Sequence, residues 1–202
     1  MDLTAVMLNC SLSPSPAESS TDVLLGQVAD AFGDRGVAAG EPIRVVDHDV
    51  KPGVESDMGD GDAWPALRRR ILDADILVLG TPVWMGQPSS VAKRVLERLD
   101  AFLAETDDKG RMISWDRVAM VAVVGNEDGA HHISAELYQA LSDVGFTIAA
   151  NAVTYWVGEA MGATDYRELD ETPEKVASAT AMAVATTAHL ARVLRADPYP
   201  PV

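Results

Sequence analysis

The sequence predicts a doubly wound α/β fold: a five-stranded parallel sheet in the order 2-1-3-4-5 with helices on both faces. Three observations predict it. Strand-length apolar runs alternate with segments whose apolar residues recur at helical spacing. The strand candidates are continuous apolar runs rather than in–out alternations, as a sheet covered on both faces requires. Unusual loops follow the first, third and fourth strands, and the predicted order makes those strands neighbours, so the loops converge on one crevice beyond the strand ends.

The elements follow in order. Leu3 to Asn9 is an apolar run of strand length, followed by a loop from Cys10 to Thr21 rich in hydroxyls and Pro. Val23, Leu24, Val28, Ala31 and Phe32 then stripe a first helix. Gly33 to Gly40 reads as a turn and Pro42 to Asp47 as the second strand. Lys51 to Asp62, rich in Gly and acids, reads as loop. A short helix over Ala63 to Leu72 leads into the third strand, Ala74 to Gly80, and the loop Thr81 to Ser90. Val91, Val95, Leu99 and Phe102 share one face of a helix spanning Ser89 to Leu103. After a polar connection, Val118 to Val124 is the most strand-like run of the chain, and it ends in the loop Gly125 to His132. Ile133, Leu137, Leu141 and Val144 stripe the next helix, Gly145 ends it, and Phe146 to Tyr155 is the fifth strand. Val157 to Asp170 is irregular. Thr172 to Arg195 is a long Ala/Thr-rich helix with Pro173 in its first turn and a small-residue face suited to sheet packing. One domain, 1–202, accounts for the whole, with a loose Pro-rich tail at 197–202.

Bulk properties exclude several function classes. Apolar residues make up 48% and charged residues 23%, as in an ordinary globular domain. A formal charge of −15 repels nucleic acid and anionic membranes, so neither is expected as a partner. No stretch approaches the ~20 continuous apolar residues of a membrane helix. The N-terminus lacks a signal-like basic cluster, and Cys10 is the only cysteine, so a cytoplasmic location is expected. Cys10 itself reads as a small inert core residue.

A strand–loop–helix gathers free backbone N–H groups and a positive helix end at one point, which suits a phosphate. Ser11, Ser13, Ser19, Ser20 and Thr21 add hydroxyls around it. The plainer alternative is that Ser19 or Ser20 caps the helix, with Asp22 completing a weak capping box with Ser19. Neither a nucleoside-triphosphate loop nor a dinucleotide glycine fingerprint is present. His131 and His132 are adjacent and diverge by ~100° on a helix, which disfavours a shared metal, and no metal site is expected; either can orient a ring or a substrate.

The three loops together resemble those of the flavodoxin-like NAD(P)H-dependent FMN reductase family, including WrbA-like multimeric flavodoxins, and the resemblance covers nearly the whole chain. It implies that Ser11, Ser13, Ser19, Ser20 and Thr21 hold the FMN phosphate. Thr81-Pro82-Val83-Trp84-Met85-Gly86 resembles the loop that lines the isoalloxazine ring, and Gly125-Asn126-Glu127-Asp128-Gly129 the one at the pyrimidine edge. Cofactor contacts are therefore expected from Pro82, Val83, Trp84, Met85, Gly86, Asn126, Glu127 and Gly129. Many members carry Arg or Lys in the phosphate loop, where this chain has Ser13 and Glu18.

The chemistry asks for a neutralised phosphate, a sandwiched ring, and donors where charge develops on reduction. Backbone N–H groups around Pro82 to Gly86 and near Asn126 and Gly129 can supply these donors, and Trp84 can border the ring. Glu127 and Asp128 beside the ring disfavour an anionic reduced flavin. The expected function is transfer of a hydride from NADPH or NADH to FMN and onward to a quinone, flavin or similar small acceptor, with no catalytic side chain required. The alternative is a flavodoxin-type one-electron carrier without nicotinamide turnover. The resemblance also implies a homodimer or homotetramer, and the aromatic segment Trp156 to Asp170 reads as too apolar for a free loop.

Overall fold

The computed structural model describes residues 2–160 and 162–202. The strands are β1 (Leu3–Asn9), β2 (Val37–Ala39), β3 (Ile43–Arg44), β4 (Ile76–Trp84), β5 (Gln87–Pro88), β6 (Val118–Gly125) and β7 (Thr147–Val157). The helices are α1 (Ser20–Gly33), α2 (Trp64–Asp73), α3 (Ser90–Leu99), α4 (Ala130–Asp143) and α5 (Glu174–Ala196). The main sheet runs β2-β1-β4-β6-β7 and its pairs are parallel, the predicted order with the second strand divided in two.

That division corrects the sequence reading. Val37–Ala39, expected in a turn, pairs with Leu3–Ala5 at the start of β1. Ile43–Arg44 pairs with Leu8–Asn9 at its end, and Val45–Asp47 then tightens into a 3-10 turn. A second correction concerns Thr81 to Ser90. β4 runs on through Trp84 and folds back as a two-residue hairpin, with Val83 opposite Pro88 and Trp84 opposite Gln87. Met85 and Gly86 form that turn, both at positive φ (54° and 72°), the backbone twist that matches two antiparallel strands.

Alternation along the buried strands divides the core in two. Leu8, Leu77, Leu79, Val121 and Val123 face α2, α3 and α4. Met7, Ile76, Val78, Met120 and Ala122 face α1 and α5. The small face of α5 packs on the sheet as expected, Thr180 bonding Thr154 at 2.7 Å. In β7 the ladder jumps from Ala119–Ile148 to Val121–Val153, so residues 149–152 bulge, with Asn151 at φ 54°.

Two segments are better tied than the sequence suggests. In 157–170, Tyr166 is buried against Trp156 (ring centroids 5.3 Å apart) and donates to Gln27 Oε1 on α1 at 2.6 Å. Its aromatic character is thus used within the chain. Met161 of this segment lies outside the described residues. The tail expected to be loose is held by Tyr199, which packs on Trp115 and receives Asp116 as acceptor of its N–H at 2.8 Å.

Candidate functional site

Register brings the loops together. Asn9 pairs with Gly80, Pro82 with Val124, and Gly125 with Val157, so the segments beyond these residues open at one end of the sheet. There they enclose a cavity of about 450 Å³. Its lining includes Ser11, Ser13, Ser19, Ser20 and Thr21 from the first loop, Pro82, Val83 and Trp84 from β4, and Asn126 and Glu127 from the third loop. Trp156 closes it from the end of β7, and Tyr166 and Arg167 from the strap between β7 and α5.

The first loop is built on Asn9, fully buried at the end of β1. Its amide accepts from Ser11 N at 2.8 Å and donates to Asp22 and, at 3.4 Å, to Ser19 Oγ. Ser19 caps α1, accepting from Asp22 N at 3.3 Å. The cap is the plain half of a capping box, because Asp22 turns its carboxylate to Asn9 and Arg44 instead. The remaining N–H groups of the first turn have no intrahelical acceptor. Ser11 Oγ is buried and bonded to nothing, although Ser11 lines the cavity. An orphaned hydroxyl in a cavity that a helix N-terminus also lines fits an anionic oxygen as its missing partner.

Two arginines that no sequence motif singles out, Arg44 and Arg167, bear on the first loop. Arg44, buried in β3, donates to Ala17 O at 2.6 Å and Ser13 O at 3.3 Å and pairs with Asp22, stapling the loop from outside. Its one signal is a cation inside the apolar run Ile43-Arg44-Val45-Val46. Arg167 sits on the strap, its Nη1 3.0 Å from Glu18 and its Nη2 3.2 Å from Asp165, and its backbone N–H donates to Ser20 Oγ at 3.3 Å. Nothing local in sequence announces that contact across the fold.

The wall opposite differs from expectation. Met85, Gly86 and Gly129 do not line the cavity. They form a tight junction behind it: a Cβ on Gly129, at φ 136°, would lie 2.8 Å from Gly86 Cα. Two backbone donors expected to face the ring are committed elsewhere, Met85 N to Glu127 Oε1 at 2.8 Å and Gly129 N to Asp128 Oδ1 at 2.7 Å. Glu127 therefore fixes the hairpin tip while bordering the cavity. The Asn126 amide donates to Gly162 O at 3.0 Å, tying the third loop to the strap. Trp84 is 52% exposed, so it is a wall of the site and not core.

The histidines lie outside this lining. His131 bonds Tyr155 Oη at 3.1 Å and His132 bonds Gln87 Oε1 at 3.2 Å. Cys10 is fully buried, which pushes its thiol well above the usual range and leaves it unreactive.

Among known proteins, the chain matches the family model for NADPH-dependent FMN reductase over residues 3–162. It is 40% identical over 162 residues to a Mycobacterium bovis protein described as divalent metal cation transporter MntH; the match takes in 78% of this chain but 24% of that protein's length. It is 32% identical over 209 residues to the 8-demethyl-8-aminoriboflavin-5'-phosphate synthase of Streptomyces davaonensis, spanning 98% of this chain and 81% of that one. Among solved structures, RosB with bound 8-demethyl-8-formylriboflavin-5'-phosphate superposes with a TM-score of 0.89 at 31% identity, over 98% of this chain and 82% of the other.

Proposed function

Since the chain belongs to the NADPH-dependent FMN reductase family, we propose that it binds FMN in the cavity beyond β1, β4 and β6 and uses NADPH or NADH to reduce a small acceptor such as a quinone or a free flavin. The observation that carries this reading is the buried, unpartnered hydroxyl of Ser11, in the loop after β1, in a cavity lining it shares with the first residues of α1. FMN supplies the hydride-accepting ring. The chain's residues supply its surroundings. Ser11, Ser13, Ser19, Ser20 and Thr21 bind the phosphate, with the helix end adding positive potential. Pro82, Val83 and Trp84 flank the ring, and Asn126 and Glu127 border its edge, while Met85, Gly86 and Gly129 hold those walls in place. No side chain is assigned as nucleophile, acid or base.

Exposed Leu12, Trp84 and Met85 leave an apolar rim near this end of the sheet, which supports a homodimer or homotetramer in which a second copy covers it. A cytoplasmic enzyme accords with the single buried cysteine. Transport is not carried over from the Mycobacterium bovis relative. The aligned part is 24% of that protein, and no helix among the described residues is long and apolar enough to cross a membrane.

Purified protein mixed with FMN and freed of excess ligand should show flavin absorption near ~450 nm, and anaerobic NADPH or NADH should bleach it. A colourless protein overturns the reading. Retained flavin that neither nucleotide reduces favours the electron carrier.

A second reading takes riboflavin 5'-phosphate as substrate instead of cofactor. The Streptomyces davaonensis synthase and RosB, each named for an 8-substituted flavin phosphate that it makes or binds, are what favour it. Mass spectrometry of the flavin recovered after repeated aerobic turnover separates the two. Unchanged mass supports a cofactor, and an altered 8-substituent supports a substrate.

A further inference from the structure

The first loop has to hold an anion in a chain of formal charge −15, and between Cys10 and Thr21 it contains no Lys or Arg but does contain Glu18. Arg44 does not solve this. It is 8% exposed, bonds Ser13 O and Ala17 O, and pairs its charge with Asp22, so it braces the loop from outside and does not line the cavity. Arg167 is the only Lys or Arg among the described residues that line the cavity. Its position is well defined. Tyr166 beside it is buried and bonded to α1, and Asp165 and Glu168 close a capping box around the short turn that carries it. The guanidinium thus reaches the start of α1 from a fixed turn on another part of the fold.

Its partners there are carboxylates. Glu18 Oε2 lies 3.0 Å away on a side chain that is 83% exposed, free to swing into solvent. Asp165 at 3.2 Å and Glu168 at 3.9 Å belong to the same short turn as Arg167, so Glu18 is the partner that comes from the first loop. This guanidinium faces a serine-lined pocket, and the planar fork of Arg matches a carboxylate or a phosphate equally well. The unpartnered hydroxyl of Ser11, in the same lining, is an independent sign that the pocket expects an acceptor.

We propose that Arg167 is the specificity-determining residue that makes this site prefer a phosphorylated flavin to riboflavin, with Glu18 as the internal counter-ion that its guanidinium exchanges for the phosphate. This rests on the reading of the cavity as a riboflavin 5'-phosphate site and adds the basis of its selectivity. Because the exchange trades one anion for another, Glu18 opposes binding, and its removal strengthens it.

The test titrates the full chain, stripped of flavin, with FMN and separately with riboflavin, following the quenching of flavin fluorescence. Wild type should favour FMN. Arg167→Gln should weaken FMN by about 10- to 100-fold, the worth of a charge-assisted hydrogen-bond pair, and leave riboflavin binding unchanged, which also certifies the fold. Arg167→Lys should recover part of the loss, and Glu18→Gln should tighten FMN several-fold without affecting riboflavin. Equal weakening of both flavins in Arg167→Gln would assign the residue to holding the strap and overturn the proposal. So would an unaltered FMN affinity in that variant while wild type still prefers FMN. If wild type binds neither flavin, the reading of the cavity fails, and this inference with it.

Discussion

Ser11 gives up hydration without recovering a hydrogen bond, an arrangement that costs about 1–3 kcal/mol for a buried polar group. Such a cost inside a cavity lining is tolerable where a ligand completes the bond. Ser11→Ala should therefore leave the flavin-free protein as stable as wild type or slightly more so, while FMN affinity falls about 5- to 10-fold, the worth of roughly one hydrogen bond. Paired thermal melts and flavin titrations read both quantities. A large loss of stability without flavin would mean that the hydroxyl has a protein partner after all.

At the scale of elements, α1 concentrates the electrostatics of the site at its N-terminus. Ser20 is its first residue and is only half-buried, whereas Thr21 is 2% exposed, so a new charge is better introduced at position 20. A carboxylate in a first helical turn is favourable to the helix and unfavourable to an incoming phosphate. Ser20→Glu should accordingly keep its melting temperature and lose flavin on gel filtration. Retention of flavin equal to wild type would sink the assignment of this loop.

The segment 51–62 is likewise organised by charge. Arg98 on α3 pairs with Asp62 at 2.8 Å, both side chains fully buried, and donates to the carbonyls of Lys51 and Glu55. Burial pushes the Asp62 carboxyl up, but Arg98 and the N–H groups of Met58, Trp64 and Lys51 outweigh it and hold it well below the usual carboxylate range. A depressed carboxyl contributes stability that is complete above its unfolded value of about 3.9 and is lost as pH falls through the lower folded value. Asp62→Asn should cost about 3–5 kcal/mol at neutral pH by stranding a buried guanidinium. It should also flatten the acid limb of stability against pH, as urea melts from pH 7 downward would record. A wild-type acid limb in the variant would refute the pairing.

Across the whole molecule, a charge of −15 makes self-repulsion a standing cost of compactness. The ion pairs of Arg167 and Arg195 are exposed at one partner or both, and such pairs contribute little. Raising sodium chloride from ~20 mM to ~0.5 M shortens the Debye length several-fold. It should raise the melting temperature by about 2–4 °C, the shift that ~1 kcal/mol produces in a domain of this size. A flat or falling melting temperature would show that attractive pairs dominate.

The α/β class, the strands buried on both faces and the three loops of the crevice are legible in the sequence, because they depend on period, run length and turn chemistry, which are properties of neighbouring residues. The order of the strands follows from the fold class and not from any local pattern. The sequence misleads where local pattern is outweighed by partners. Val37–Ala39 is too short to signal a strand and becomes one only because Leu3–Ala5 lies beside it. Thr81–Trp84 looks like a Pro-containing loop, yet Gln87–Pro88 completes it as a hairpin. Which groups of the site remain free depends on contacts between distant segments: Met85 N–H is taken by Glu127, whereas Ser11 Oγ is left without a partner. Charge was the least legible. A loop without a basic residue of its own is braced by Arg44 and faced by Arg167, because Coulomb forces act through space and the fold, not the chain, sets those distances.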